Sequence, residues 1–315
     1  MAEIQFTRRS SITALVGATA LLGTGAWGSS RKSPPFNLDD RPLGIQLYTL
    51  GNEFASDADG MFAALSRIGF RRFECDLLKM SKPEFRAAAS RHGLSCTSVH
   101  LNPMSLTNDA GFPAIVESTH ASGVRYAGLP IFPFQLDLLK GNRDPMEVAI
   151  SRIAASRSVD DWKRTADLLN RRGADFQKAG IRLFYHNHNV EFRPLEGTTP
   201  FALLVEGTDP ALVSFELDVG WVAAAGLDPV AVIKTYPSRF RLMHVKDIKA
   251  ETQANFEMKQ VPAEIGSGRL DWPRVIAAAR RAGITEYFVE QEPPFSRSRI
   301  EAAEISAKYL RGLKG

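Results

Sequence analysis

Four short apolar runs in the second half of the chain each end in a side chain able to hold a metal ion. Leu-Phe-Tyr-His-Asn-His-Asn-Val-Glu-Phe at 183–192 delivers His186 and His188, with Glu191 three residues further on. Ser-Phe-Glu-Leu-Asp-Val-Gly at 214–220 delivers Asp218, Arg-Leu-Met-His-Val-Lys-Asp at 241–247 delivers His244, and Tyr-Phe-Val-Glu-Gln-Glu at 287–292 delivers Glu290. In an extended chain, residues two apart share a face. His186 then faces with Phe184 and His188, Asp218 with Glu216, His244 with Lys246, and Glu290 with Glu292. His, Asp, His and Glu make a mixed nitrogen and oxygen donor set. It suits a divalent ion such as Mn²⁺, Zn²⁺, Co²⁺ or Mg²⁺ with positions left open for a substrate. One histidine in a strand is commonly a satisfied core residue, and Glu290 by itself would pair with Lys246. Four such residues at matching ends of consecutive runs bring together charges that are costly to desolvate without a cation.

The rest of the chain reads as the scaffold for those four ends. Apolar runs bounded by turn residues predict strands over 43–50, 72–76, 96–100, 125–130, 181–188, 212–219, 241–247 and 286–291. Between them, helical periodicity predicts helices over 59–68, 114–122, 160–178, 200–205, 228–236, 272–281 and 297–310. Another helix opens at Ser81-Lys-Pro-Glu with the pattern of a capping box. The stretch 131–157 reads as a long loop of the kind that forms a lid. Eight strands alternating with helices fit a (β/α)8 TIM barrel, whose sites lie at the C-terminal strand ends. An open doubly wound sheet would need a glycine-rich phosphate loop after the first strand. Gly51-Asn-Glu-Phe is not one.

Composition sets outer limits. The 315 residues are 44% hydrophobic and 23% charged, with a formal charge of +4 and no basic stripe, so a nucleic-acid partner is not expected. Near the start, Thr-Arg-Arg-Ser-Ser-Ile at 7–12 precedes an apolar stretch to residue 27. That is the layout of an export signal, and the paired arginines resemble a twin-arginine signal. The stretch is too short and glycine-rich for a membrane span. Residues 1–30 therefore read as a signal cut near 26–30, 31–42 as a linker, and 43–315 as one catalytic domain. The expected location is the bacterial periplasm, with no membrane span in the mature chain. The two cysteines, Cys75 and Cys96, read as buried thiols, with a bridge between neighbouring strands as the alternative.

Seven motifs, taken in order, carry a resemblance. They are Gln-Leu-Tyr, Ser-x-His, His-Asn-His-x-x-Glu-Phe, Leu-Asp-x-Gly-Trp, His-x-Lys-Asp, Gly-x-Gly-x-x-Asp-Trp and Val-Glu-Gln. Spread over 43–310, they resemble the sugar phosphate isomerase/epimerase superfamily with its xylose isomerase-like barrel. The resemblance implies metal ligands Glu, Asp, His and Glu from strands five to eight, and the last three carry over onto Asp218, His244 and Glu290. The first departs, because His186-Asn187-His188 stands where many members have Glu-Asn. His186 takes the ligand position, and Glu191 is the nearest carboxylate that could substitute.

The resemblance also implies a metal-dependent isomerase or epimerase that abstracts a proton next to a keto-sugar carbonyl. Epimerisation needs two bases; with Glu290 as one, His188, Lys246 or Glu191 would supply the other. With one abstraction followed by loss of a leaving group, the enzyme would be a dehydratase or lyase of keto-sugars or keto-glycosides. Candidate substrate contacts are Gln46, Tyr48, Glu74, His100 and Trp221, the indole by stacking on a sugar face. Gly266 and Gly268 shape a loop rather than bind phosphate. Two further classes use this barrel. A non-catalytic sugar-binding protein is one. An endonuclease-IV-type hydrolase is the other, but it needs three zinc ions, and strands two and three supply only Glu74 and His100. The expected partner is a small carbohydrate, and a homo-oligomer is left open.

Overall fold

A computed structural model of the chain describes residue 36 and residues 42–314. The signal and most of the linker predicted before residue 42 lie outside the described residues. The described residues belong to one compact unit, Ser33–Gly315. Eight strands run parallel: β1 Gly44–Gln46, β2 Arg72–Asp76, β3 Ser95–His100, β4 Tyr126–Leu129, β5 Arg182–His186, β6 Val213–Asp218, β7 Phe240–Val245 and β8 Glu286–Val289. Each pairs with its sequence neighbour, and β1 pairs with β8 through Gly44 opposite Phe288 and Ile45 opposite Val289, closing the barrel. No helix among the described residues is long and apolar enough to cross a membrane.

Both faces of these strands are buried, which is why they read as apolar runs. Leu183, Tyr185, Phe215, Leu217, Met243 and Val245 alternate with the lumen residues and pack in the main hydrophobic core. Inside the lumen, Phe184, Leu242 and Phe288 form a separate apolar plug with Tyr126 against it. Below the plug, the buried Glu286 carboxylate accepts from Arg72 at 2.9 Å, Arg125 at 2.5 Å and Thr97 at 3.0 Å. Above the plug, the inward-facing residues His186, Glu216, Asp218 and His244 are buried and polar.

The helices follow local signals. Val159–Lys178 opens with a reciprocal cap, in which Ser158 Oγ accepts from Asp161 N and Asp161 Oδ2 accepts from Ser158 N. It buries Trp162, Ala166, Leu169 and Phe176 at helical spacing.

Several expectations are corrected. The first strand is only Gly44–Gln46, because Gln46 Oε1 accepts from Tyr48 N and turns Leu47–Leu50 into a 3-10 segment. No capping box forms at Ser81: its hydroxyl donates to Leu78 O, and the helix Pro83–Arg91 starts after Lys82. Half of the predicted lid loop is ordered as a 3-10 turn, Leu136–Leu139, and a helix, Met146–Ser156. β5 stops at His186, so His188 lies beyond the strand rather than on it. Cys75 and Cys96 are free thiols, one buried and one half-buried.

Candidate metal centre

Asp218 ends β6 and caps the helix Val219–Ala224, where its Oδ1 accepts from Trp221 N at 2.9 Å. Asn187 just past β5 steadies the same corner by accepting from Asp218 N at 3.1 Å. The cap fixes the other oxygen. Asp218 Oδ2 is buried with no well-directed hydrogen bond, and lies 3.7 Å from His244 Nδ1 and 3.9 Å from His186 Nε2. From β8, Glu290 Oε2 comes within 2.8 Å of the same His244 Nδ1. Asp218, His244 and Glu290 each present a donor atom, all within 4.8 Å of one another. A mixed carboxylate and imidazole set of this size fits a divalent ion, with His186 Nε2 beside it.

The Lys246 ammonium projects into the same space. It lies 2.8 Å from Asp218 Oδ2, 2.8 Å from Glu290 Oε2 and 2.6 Å from Glu292 Oε1, with the Trp221 ring centroid 5.1 Å away. Its stem runs against the backbone of Gly220, where a Cβ would stand 2.7 Å from Lys246 Cγ. This explains the glycine between Asp218 and Trp221. His188 closes the other side, half-buried, its ring 4.9 Å from that of His186 and 5.4 Å from Trp221.

Beneath this level lies a second polar layer. Glu74 Oε1 is 2.7 Å from His244 Nε2, and Glu216 Oε2 is 3.1 Å from His186 Nδ1. His100 Nε2 sits between the two carboxylates, 3.1 Å from Glu74 and 3.2 Å from Glu216. His100, His186, Glu216 and His244 also present donor atoms within 4.8 Å of one another.

Burial and charge compete at every one of these groups. For Lys246, burial disfavours the charged form, but Asp218, Glu290 and Glu292 outweigh it and hold the pKa well above the ordinary lysine value. His244 behaves alike: burial lowers it, and Glu216 and Glu290 more than offset that and hold it well above the ordinary histidine value. His100 is raised to about 10 by Glu74 and Glu216 against burial. Glu290 is held well below the usual range, because Lys246 and His244 overcome its burial. Burial and the neighbouring histidines push His186 down, and burial with the Lys246 charge brings His188 to about 3, so both rings are neutral. Glu216 goes the other way, to about 7, through burial and the Glu74 charge.

The structure thus brings together His186, His188, Asp218, His244, Lys246 and Glu290, and separates Glu191 from them. Glu191 is fully buried and turned outward with Tyr185: Oε1 accepts from the Tyr185 hydroxyl at 2.7 Å and Oε2 from His188 N at 2.8 Å. In this arrangement its carboxylate holds the Tyr185 hydroxyl and the backbone of His188 rather than facing Asp218, His244 and Glu290. Of the expected sugar contacts, Gln46 and Glu74 lie below the mouth with their polar atoms spent on each other and on their neighbours. His100 lies in the same lower layer. Trp221 is a buried wall behind Lys246, and Tyr48 stands at the rim, 56% exposed.

With this geometry established, comparison with known proteins gives the family. Residues 134–313 match the xylose isomerase-like TIM barrel. The chain belongs to that family. A sugar phosphate isomerase/epimerase from Parabacteroides distasonis has a similar crystal structure, at 26% identity and a TM-score of 0.68, with 94% of this chain and 98% of that one covered. An inosose dehydratase of Bacillus anthracis is 32% identical over 106 residues, 34% of this chain and 35% of its own. An inosose dehydratase of Lacticaseibacillus casei is 27% identical over 167 residues, 48% of this chain and 54% of its own. The chain thus spans only about a third to a half of the length of these curated relatives.

In this xylose isomerase-like barrel, two of the sequence motifs prove to be one structure. The Asp247 carboxylate accepts from Gly266 N, Gly268 N and Leu270 N at 3.0, 3.2 and 3.3 Å, and from Trp272 Nε1 at 2.8 Å. The Gly-x-Gly-x-x-Asp-Trp loop is therefore wrapped around the aspartate that follows Lys246, and it shapes rather than binds. Sequence reasoning missed the pairing of Glu216 with His186 and the role of Glu292. Glu216 lies two residues before Asp218 on β6 and Glu292 two residues after Glu290 just beyond β8, and that period-two spacing was the available signal.

Proposed function

We propose that this chain is a metal-dependent enzyme that removes a proton from the carbon beside the carbonyl of a keto-sugar, working as an isomerase or epimerase. The observation that supports this is the convergence of Asp218, His244 and Glu290, with His186 alongside, at the C-terminal end of a family barrel. A divalent ion held by His186, Asp218, His244 and Glu290 would supply Lewis-acid polarisation of the substrate carbonyl.

The chain's own groups divide the remaining work. A liganded imidazole has no free lone pair on its bound nitrogen, so His186 is not the base. His188 borders the mouth and has a ring Nδ1 without a hydrogen-bond partner, which places it to take the proton from carbon. To complete an epimerisation, the Lys246 ammonium would give a proton to the same carbon from its other face; to complete an isomerisation, His188 would hand its proton to the neighbouring carbon as a proton passes from the hydroxyl oxygen to the former carbonyl oxygen. Trp221 shields that exchange from water. The arginine pair and apolar stretch at 7–27 support action outside the cytoplasm, in the periplasm.

A second reading is favoured by the two relatives named as inosose dehydratases. After the same proton removal, the C–O bond one carbon further on breaks, Lys246 protonates the departing hydroxyl, and water leaves an unsaturated ketone.

One experiment separates these outcomes. The protein is analysed for metal, loaded with Mn²⁺ and incubated with a panel of keto-sugars in D₂O. An isomeric product carrying solvent deuterium supports the isomerase or epimerase, and an unsaturated product supports the dehydratase. If the loaded protein exchanges no proton of any keto-sugar, the catalytic reading falls in favour of a sugar-binding barrel.

A further inference from the structure

An imidazole can meet a cation with either ring nitrogen, and the hydrogen bond at the other nitrogen decides which. The two histidines here use opposite ones. His244 points Nε2 down to Glu74 at 2.7 Å and Nδ1 up toward Glu290 and Asp218. His186 points Nδ1 down to Glu216 at 3.1 Å and Nε2 up toward Asp218. We propose that Glu74, Glu216 and His100 form a positioning layer that dictates which nitrogen each of His186 and His244 presents to the cation. The proposal rests on the reading of Asp218, His244 and Glu290 as a cation site.

The lower layer is built for this task. Glu74 is fully buried and meets only donors: the Gln46 amide at 2.8 Å, the Ser98 hydroxyl, and the His100 and His244 ring nitrogens. A carboxylate satisfies four donors, whereas an amide in its place would turn an N–H₂ against at least one of them. Glu74 and Glu216 would repel each other at this depth. His100 Nε2 lies between them, 3.1 Å from Glu74 Oε1 and 3.2 Å from Glu216 Oε2, so it holds each carboxylate toward its histidine. His100 thus acts on the site only through the carboxylates it holds.

The same residues pose a sharp alternative, in which His100, His186, Glu216 and His244 themselves surround a second ion. Cobalt(II) titration of the whole protein, followed by visible absorption, distinguishes the two. The layer predicts one Co²⁺ per chain. Glu74→Gln and Glu216→Gln should each weaken its binding by roughly 10- to 100-fold, with the metal-free circular dichroism unchanged. In the zinc-loaded protein, nitrogen-15 spectra should show the metal on His244 Nδ1 and on His186 Nε2, with the opposite nitrogen of each ring protonated. That measurement needs no variant to fold. Wild-type affinity in both glutamine variants would overturn the layer while sparing the cation site. So would a second Co²⁺ per chain that is lost in His100→Asn, or metal on His244 Nε2. A wild-type protein that takes up no Co²⁺ would sink the cation site itself, and the layer with it.

Discussion

The Lys246 ammonium lies 2.8 Å from Asp218 Oδ2, an oxygen that the helix cap at Trp221 N leaves no other direction to face. It stands equally close to Glu290, so an internal cation lies between two oxygens offered to a divalent ion. Charge of the same sign cannot fill both places. Were a divalent ion bound by both oxygens, Lys246 would have to shift toward Glu292, its third carboxylate partner at 2.6 Å. On the proposed reading, Lys246 would compete with the ion for these oxygens and, once displaced, would border the substrate.

Lys246→Met tests this directly. Removing one partner of a buried ion pair typically costs about 3–5 kcal/mol, and here three carboxylates lose their cation. The metal-free variant should melt well below the wild type. Because the competitor is gone, Mn²⁺ should bind it about tenfold more tightly, about 1.4 kcal/mol, and raise its Tm by more than it raises that of the wild type. Turnover should fall by roughly 10²- to 10⁴-fold. A Mn²⁺-induced shift no larger than in the wild type would show that the ammonium and the ion do not share the site.

Gly220→Ala probes the same side chain from outside the charge cluster. Alanine is ordinarily the better helix residue by roughly 0.5–1 kcal/mol. Here its methyl would press on Lys246 Cγ at 2.7 Å. The expected result is a loss of about 1–3 kcal/mol in urea unfolding. Most of it should disappear when Gly220→Ala is made in the Lys246→Met background, since methionine can bend away. Additive costs in the double-mutant cycle would argue that the glycine serves the helix and not the lysine.

Much of this architecture is legible from the chain. Apolar runs closed by His186, Asp218, His244 and Glu290 mark four strand ends, and a barrel brings such ends together at one mouth. What the sequence hides is depth. Glu74 on β2 and Glu216 on β6 are far apart in the chain and on non-adjacent strands, and they meet His100 only because the barrel closes. Register also matters: β6 and β7 slip between Phe215 and Glu216, and β2 and β3 between Phe73 and Glu74. Those irregularities aim Glu216 and Glu74 into the lower layer, and no spacing rule announces them. Glu191 misleads for the opposite reason. Its distance from His186 suits a ligand, but the chain turns after β5 and sends it outward to Tyr185.

The position of Glu191 has a pH signature. Burial, against the hydrogen bonds from Tyr185 and the backbone, raises its pKa from 4.5 to about 7. The unfolded chain releases this proton near pH 4.5 and the folded one near 7. The group's contribution to stability is therefore complete below pH 4.5 and is lost as pH rises through 7. At 1.36 kcal/mol per pH unit, the loss is on the order of 3 kcal/mol. Glu191→Gln keeps an acceptor for His188 N and a donor for the Tyr185 oxygen without the titration. Urea midpoints of the variant should change less than those of the wild type across that interval. Parallel curves for the two proteins would place the carboxyl in a wetter setting than its hydrogen bonds describe.

Asp247→Asn separates the frame of the site from its chemistry. The Asp247 carboxylate accepts from three loop amides and the Trp272 indole, and its Oδ1 also from Ile248 N. All five are donors, so an asparagine N–H₂ must face at least one of them with nothing to accept. A buried donor left unsatisfied costs about 1–3 kcal/mol. The loop at 264–270 should loosen first, because its backbone is tied to this one side chain. Amide exchange there should accelerate, while the strands β5 to β8 keep their protection. The residues proposed to hold the metal are untouched, so the Co²⁺ spectrum should be preserved even as substrate turnover falls. A changed Co²⁺ spectrum with unchanged loop exchange would mean that Asp247 acts on its neighbour Lys246, and that the glycine loop holds its shape without it.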